Sequence, residues 1–570
     1  MTHSGRLSFT LALSALVSAC AHKRLFPTPE TLAKLAAAPP PRQMFKGKQV
    51  RVDSWKLTGP LPDKVGLVPH KSANPWDALV EERVQAKPGV LIASEEMHCA
   101  ARELGIFALE HGNLPASELS RFIFARCGTS GAAFGTNWMS GEVSDQVSDA
   151  EMFARWSPQV KQMLAELSGS RALGVWVGRK AGKGVVMVAS TQRRVHLEPL
   201  TMVPGEDGVL WVRGELLVPA EKLMALHGKG RFGVDGCERD ESLALPKFSF
   251  RCSLEKTDAS AWIDISTFQT HRILGETAVE LLAWPSGALS DTYERSMKLE
   301  PRPIGDFSVF TTLFHATVNQ VRAKAGLPAL ELSARQSDTA ARVAPHYFAA
   351  MVDSDESALD TVALGMMAGW DVEGPVFNGN FGSSSASGSV DASLLVEDFV
   401  SRPYGRKLLL DAEVSQLAVG PVRDETNGVT AAIVSSYVLR VQPLGVEEQK
   451  KVLAQVNEAR KKAGVEPVLW VAAPPATAER ISTELAHGQM APEEALDVLL
   501  QDVVGQVGYG IFGWSLETYS LEDIKVPDEL ATQPAIGLIV AVGRYRPRGD
   551  PWHRYVVLLV RTRNVQGPSA

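Results

Sequence analysis

Val318–Leu332 reads VNQVRAKAGLPALEL, and Val456–Trp470, 138 residues later, reads VNEARKKAGVEPVLW. Six of the fifteen positions are identical, where average composition gives about one by chance. Self-similarity at a long spacing bears on the whole architecture. Phe314, Val318, Val321 and Ala325 fall at i, i+4, i+7 and i+11, and Val452, Val456, Ala459 and Ala463 repeat that spacing. Each copy therefore predicts a helix with one apolar stripe. Lys324, Lys461 and Lys462 sit in the last turn, where cations suit the helix dipole, and Gly326 and Gly464 end the helices.

Working outward, each copy leads to the same ending. Leu417–Gly420 and Ala431–Arg440 read as a hairpin around Asn427-Gly428, and Ile536–Gly543 and Tyr555–Arg561 read as a second. Upstream, Ala172–Gly178 and Val185–Ala189 flank another Gly-bearing turn. A helical run at Glu95–His111 and a helix opening at Trp156-Ser157-Pro158 precede it. Three stretches thus end alike, although the first has a weak opening helix. Between the first and second, short alternating runs (Val209–Arg213, Phe248–Cys252, Ala261–Ile265) predict a small β-sandwich. Helices are expected at 340–351 and 394–410, with a flexible Gly/Ser-rich loop at 378–389.

The 570 residues carry 45% hydrophobic and 22% charged side chains and a net charge of −7. Several buried cores are possible, and there is no basic footprint for nucleic acid. Arg6 and the apolar run Leu7–Val17 form a signal peptide ending Val17-Ser18-Ala19-Cys20. Residues 21–48, with three consecutive prolines, read as a flexible tether. The four cysteines beyond Cys20 are an even number, expected to form two disulfides outside the cytoplasm. Of three connectivities, Cys99–Cys127 with Cys237–Cys252 keeps each bridge inside one domain. No CxxC supports a four-cysteine zinc site.

Two resemblances sharpen this. Val17–Cys20 resembles the lipobox of bacterial lipoproteins, which implies lipidation at Cys20; Ala21 is what that resemblance associates with outer-membrane sorting. Asn319-x-x-Arg322 with Gly326-Leu-Pro328, then Ala340-Ala341-Arg342, Pro403–Leu409 and Leu417–Gly420, resembles the CAP superfamily of cysteine-rich secretory, antigen 5 and pathogenesis-related proteins. Trp156–Pro158 and Val175–Gly178 echo the tail of that pattern. The resemblance implies αβα sandwiches with a surface cleft, outside the cell. That family's cleft carries two His and two acidic residues able to hold a divalent ion. Here the second His position is Gly405, the acidic stretch has no counterpart between Met351 and Val400, and His346 aligns only after a shift; His487 has the same problem.

The expectation is an α+β, multi-domain chain: signal peptide 1–20, tether 21–48, a degenerate CAP-like unit 49–195, a β-sandwich 196–272, a CAP-like sandwich 273–442 and a second degenerate one 443–570. No HExxH, G-x-S-x-G or Walker A pattern is present. The reading is non-enzymatic: a lipid-anchored envelope protein on the periplasmic or extracellular face of the outer membrane. It would bind or scaffold an envelope protein or an apolar ligand, with no nucleic acid, cofactor, metal or catalytic residue. The alternatives are a lipid- or sterol-like carrier, or a hydrolase with a non-standard site. The latter requires a His and a carboxylate converging in one cleft, with His346 and Glu397 or Asp398 as the pair to inspect.

Overall fold

A computed structural model describes residues 26–562 apart from Lys46, Asp145, 270–274, Ser296, Ser389, Pro443, 508–510, Asp523 and Ile536. The signal peptide expected at 1–20 and the expected lipidation site Cys20 lie outside the described residues. Within the stretch read as a tether, Pro29–Ala37 is a helix with Leu32 buried. The fold is α+β.

The first four-stranded set consists of α1 (Pro75–Gln85), β1 (Leu91–Ala93), α2 (Glu95–His111), α3 (Ser117–Arg126), β2 (Phe134–Glu142), α4 (Asp149–Ala165), β3 (Arg171–Lys180) and β4 (Lys183–Gln192). Its strand order is β1-β3-β4-β2, with β1 parallel to β3 and the other pairs antiparallel. Alternation along β3 and β4 sends Leu173, Val175, Val186 and Val188 to one face against α1 and α4. Ala172, Val185, Met187 and Ala189 go to the other, against α2. Three layers, αβα, result.

The short opening helix α1 forms because Asn74 caps it, its side-chain oxygen accepting from Trp76 N and Asp77 N, with Pro75 in the first turn. Helix α4 begins earlier than Trp156: a Ser148/Glu151 capping box starts it, and Pro158 sits inside it. Helix α2 occupies the expected residues, capped by Ser94.

The sandwich comprises β5 (Val195–Leu197), β6 (Val209–Leu216), β7 (Lys222–Lys229), β8 (Gly233–Gly236), β9 (Glu238–Arg239), β10 (Lys247–Ser253), β11 (Ala261–Phe268) and β12 (Glu276–Ala283). Two antiparallel sheets, β9-β10-β6-β5 and β8-β7-β11-β12, bury Val212, Phe250, Ala225 and Ile263 in one core. Disulfides join Cys99 to Cys127 and Cys237 to Cys252.

The second set is α5 (Phe310–Lys324), β13 (Glu331–Leu332), α6 (Ala334–Asp353), α7 (Glu356–Ala368), β14 (Val376–Ser387), α8 (Ala392–Val400), α9 (Pro403–Leu410), β15 (Gln416–Asp424) and β16 (Val429–Leu439). Its order is β13-β15-β16-β14. The expected loop at 378–389 is mostly strand β14. Its small residues are there for contact: a Cβ on Gly382 would lie 3.0 Å from Leu408 and Phe399. The expected helix over 394–410 breaks in two at Pro403.

The third set is α10 (Val446–Lys462), β17 (Leu469–Val471), α11 (Pro475–Ala486), α12 (Pro492–Val507), β18 (Phe512–Thr518), α13 (Asp528–Thr532), β19 (Gly537–Tyr545) and β20 (Arg554–Thr562), again with order β17-β19-β20-β18. Ile539, Ala541, Val556 and Leu558 pack under α11 and α12, and Leu538, Val540, Val557 and Leu559 under α10 and α13. By contact density the chain forms two compact units, one of 32–364 with 380–436, the other of 365–379 and the residues from Tyr437 on, with the described residues up to Thr31. Among the described residues no helix is long and apolar enough to cross a membrane.

Candidate functional site

The first set carries a cavity of about 930 Å³. The Pro60–Leu67 segment, the starts of α1 and α2, and the middle of β3 enclose it. Leu61, Val65, Trp76 and Val177 make its apolar wall, and His70, Asp77 and His98 its polar one.

Each polar residue is fixed by local structure. Asp77 stands in the first turn of α1, where an acid suits the helix dipole, and its Oδ2 accepts from Ala73 N at 3.0 Å. His98 stands in the first turn of α2. That turn is pressed onto the sheet at Gly174, where a Cβ would come within 2.3 Å of His98 N. His70 sits on a loop pinned at both sides: Val68 N donates to Glu96 Oε1 at 2.7 Å, Glu95 N to the Val68 carbonyl at 2.9 Å, and His70 N to the Ala93 carbonyl at 3.2 Å.

His70 Nε2 lies 3.2 Å from Asp77 Oδ2, and His98 Nδ1 lies 3.5 Å from Asp77 Oδ1. The imidazoles stack with centroids 3.5 Å apart. His70 Nδ1 lies 3.0 Å from Glu95 Oε1, whose carboxylate reaches solvent. Asp77 is only 2% exposed. Burial, then the adjacent His70 ring, push the His98 imidazole down to about 4, so it is neutral at physiological pH. Burial likewise pushes the Glu96 carboxyl up to about 7. The site thus offers two imidazoles and one carboxylate, a donor set able to ligate a cation or shuttle a proton.

The residues singled out from the sequence are placed differently. His346 is half-buried with Nε2 unpartnered, but neither carboxylate considered with it is free for it. Glu397 holds Arg295 at 3.0 Å, and Asp398 accepts from Ser384 Oγ at 2.7 Å and pairs with Arg402 at 2.8 Å. At Gly405 a Cβ would lie 1.9 Å from the Phe399 carbonyl, so this position has no room for the family's second His. His487 is exposed and donates to the Thr483 carbonyl at 2.7 Å as a helix end-cap. The family's four-residue ion site does not fit the second set. His70, Asp77 and His98 carry no signal of their own, because spacings of 7 and 21 residues match no metal-ligand pattern. The Asn74-Pro75 cap start was the one readable feature beside them.

No family model matches the chain, and no curated relative matches it. Solved structures similar to it include two bacterial proteins. One is a cysteine-rich secretory protein from Staphylococcus aureus, at 11% identity over 47% of this chain and 83% of that one, with a TM-score of 0.17. The other is an extracellular protein containing a SCP domain from Bacillus anthracis, at 15% identity over 47% and 85%, also with a TM-score of 0.17.

Proposed function

We propose that the protein is a lipid-anchored envelope protein that works by binding, with three CAP-like sets and a β-sandwich on one chain. The cavity in the first set is its ligand site. The observation that carries this reading is the cavity's size and chemistry. About 930 Å³ is the volume of a small-molecule site, and an apolar lining with a few convergent polar groups is its usual composition. A partly apolar molecule with one polar or anionic end fits it best. The lipobox-like Val17–Cys20 supports anchoring, and the absence of a nucleophile motif supports binding over covalent catalysis.

The test is capture of the full chain from detergent-solubilised envelope, followed by solvent extraction and mass spectrometry of the eluate. A single co-purifying small molecule, lost on filling the cavity with Leu67→Trp, is the expected result. A stoichiometric protein partner with no small molecule would favour scaffolding instead.

A second reading has one observation behind it. A histidine and a carboxylate do converge in one cleft, at His98 and Asp77 rather than at His346. A substrate screen of ester and amide hydrolysis would test that hydrolase reading, with Asp77→Asn as the control.

A further inference from the structure

We infer that His70, Asp77 and His98 form a binding site for one divalent transition-metal ion of the zinc class on the cavity wall. The inference stands whatever molecule the cavity takes. These residues lie on α1, α2 and the loop before α1, not at His346 or Gly405, where the family resemblance would place ligands.

The spacing of the donor atoms is close to what such an ion needs, and a swing of one imidazole out of the present stack would aim both ring lone pairs at it. With metal–ligand bonds of about 2.0–2.1 Å, a tetrahedral site separates its ligand atoms by about 3.4 Å. The separations present are 3.2 Å for His70 Nε2 to Asp77 Oδ2 and 3.5 Å for His98 Nδ1 to Asp77 Oδ1. One ligand atom from each of the three residues can be chosen so that all lie within 4.8 Å of one another. Among the described residues no other group of three His, Cys, Asp or Glu meets that criterion.

Asp77 has its capping contact with Ala73 N, whereas both His70 nitrogens and His98 Nε2 are buried without a well-aligned side-chain hydrogen bond, the His70 ring lying only in ion-pair range of the Asp77 and Glu95 carboxylates and His98 against the Val175 backbone. Buried polar atoms are ordinarily well satisfied, so two imidazoles in loose contact with one buried carboxylate leave room for an ion to complete the set. The Glu95 carboxylate facing His70 Nδ1 at 3.0 Å is the second-layer partner that orients a ligating imidazole. Two nitrogens and one oxygen select a zinc-like ion over calcium or magnesium, which prefer oxygen alone. Three protein ligands leave the fourth position turned to the cavity, where a water or an anionic ligand end completes the site.

The experiment uses the full chain in detergent, carrying an affinity tag without histidines and stripped with a chelator. Calorimetric titration with Zn²⁺ and elemental analysis after dialysis are expected to show one high-affinity ion, with Ca²⁺ bound at least 100-fold more weakly. Co²⁺ is expected to give d–d absorption bands at one equivalent. The Asp77→Asn and His98→Gln variants should each lose at least 30-fold in Zn²⁺ affinity while keeping the metal-free circular dichroism spectrum. Should a variant misfold, the Co²⁺ spectrum of the unmodified chain decides alone. The inference is overturned if that chain shows no Co²⁺ bands. It fails equally if folded His70→Ala/His98→Ala protein binds Zn²⁺ as tightly as the unmodified chain, since the ion is then held elsewhere among the twelve histidines.

Discussion

Arg322 Nη1 donates to the carbonyl of Leu409 at 2.7 Å, tying the end of the second set's opening helix to the last turn of α9. It also donates to Asp411 O, and its Nε to Pro328 O at 2.7 Å. Arg460 does the same in the third set, with Leu530 O at 2.6 Å, Gln533 O at 3.0 Å and Glu466 O at 2.8 Å. Asn319 and Asn457, three residues earlier, each bridge the backbone of the residue eleven positions on, Leu330 and Val468. In the first set Arg83 donates to Leu164 O, Ala165 O and Leu167 O at the end of α4. The quoted motif is thus a device in which one cation satisfies the orphan carbonyls that end another helix.

Removing that cation strands buried carbonyls. Arg322 and Arg460 are fully buried, so Arg322→Ala and Arg460→Ala are each expected to destabilise their own set by about 4 kcal/mol. Arg83→Ala, at a half-buried site, should cost about 1 kcal/mol. Urea unfolding followed by hydrogen exchange would locate the losses. Equal effects at all three sites would contradict the argument.

This device also shows what could be read in advance. The second and third sets were legible because Asn, Arg and Gly recur together at fixed spacing. The first was obscured because Val80 stands where the others have Asn, leaving Arg83 without its partner residue. The β-sandwich and both disulfides were legible from alternation and cysteine parity. Strand β14 was not, because Gly and Ser chosen for close approach look like a loop. The His70–Asp77–His98 cluster was invisible for a deeper reason. Three local structures, a pinned loop and two helix starts, meet through hydrogen bonds between 68–70 and 93–96 and the seating of α2 on Gly174, and no local pattern encodes that meeting.

Gly405 gives a sharp steric prediction. Its side-chain position lies 1.9 Å from the Phe399 carbonyl. Gly405→His, the change that would bring the sequence nearer the family's pattern, should therefore destabilise the chain by about 3 kcal/mol. It should add no bound ion by elemental analysis. A stable variant holding an additional zinc would show that α9 can yield.

The Cys99–Cys127 bridge closes 28 residues between α2 and the end of α3, and Cys99 follows His98 directly. Opening it by Cys99→Ala/Cys127→Ala is expected to cost about 3 kcal/mol through the freedom given to the unfolded chain. Cys99 and Cys127 also line the cavity, so ligand or Zn²⁺ affinity should fall with it. Thermal unfolding with and without Zn²⁺ would measure both effects. Unchanged affinity in the double variant would mean that Gly174 and Ser94 alone hold the start of α2.

Asp264 supplies the pH dependence. Burial first, then the nearby Glu280 carboxylate, push its carboxyl up to about 7, and Arg121 opposes them. Its Oδ1 is buried without a partner. A carboxyl raised in the folded state binds its proton more tightly folded than unfolded. The stability it contributes is complete below the unfolded value of 3.8 and is lost as pH rises through about 7. At about 1.4 kcal/mol per unit, the full loss is on the order of 4 kcal/mol. Asp264→Asn removes the titration: relative to the unmodified chain it should leave stability little changed at pH 4 and raise it progressively to pH 8. Chemical denaturation at four or five pH values checks the slope. A variant whose stability tracks the unmodified chain across that range would show that Arg121 and Arg402 keep Asp264 ionised throughout.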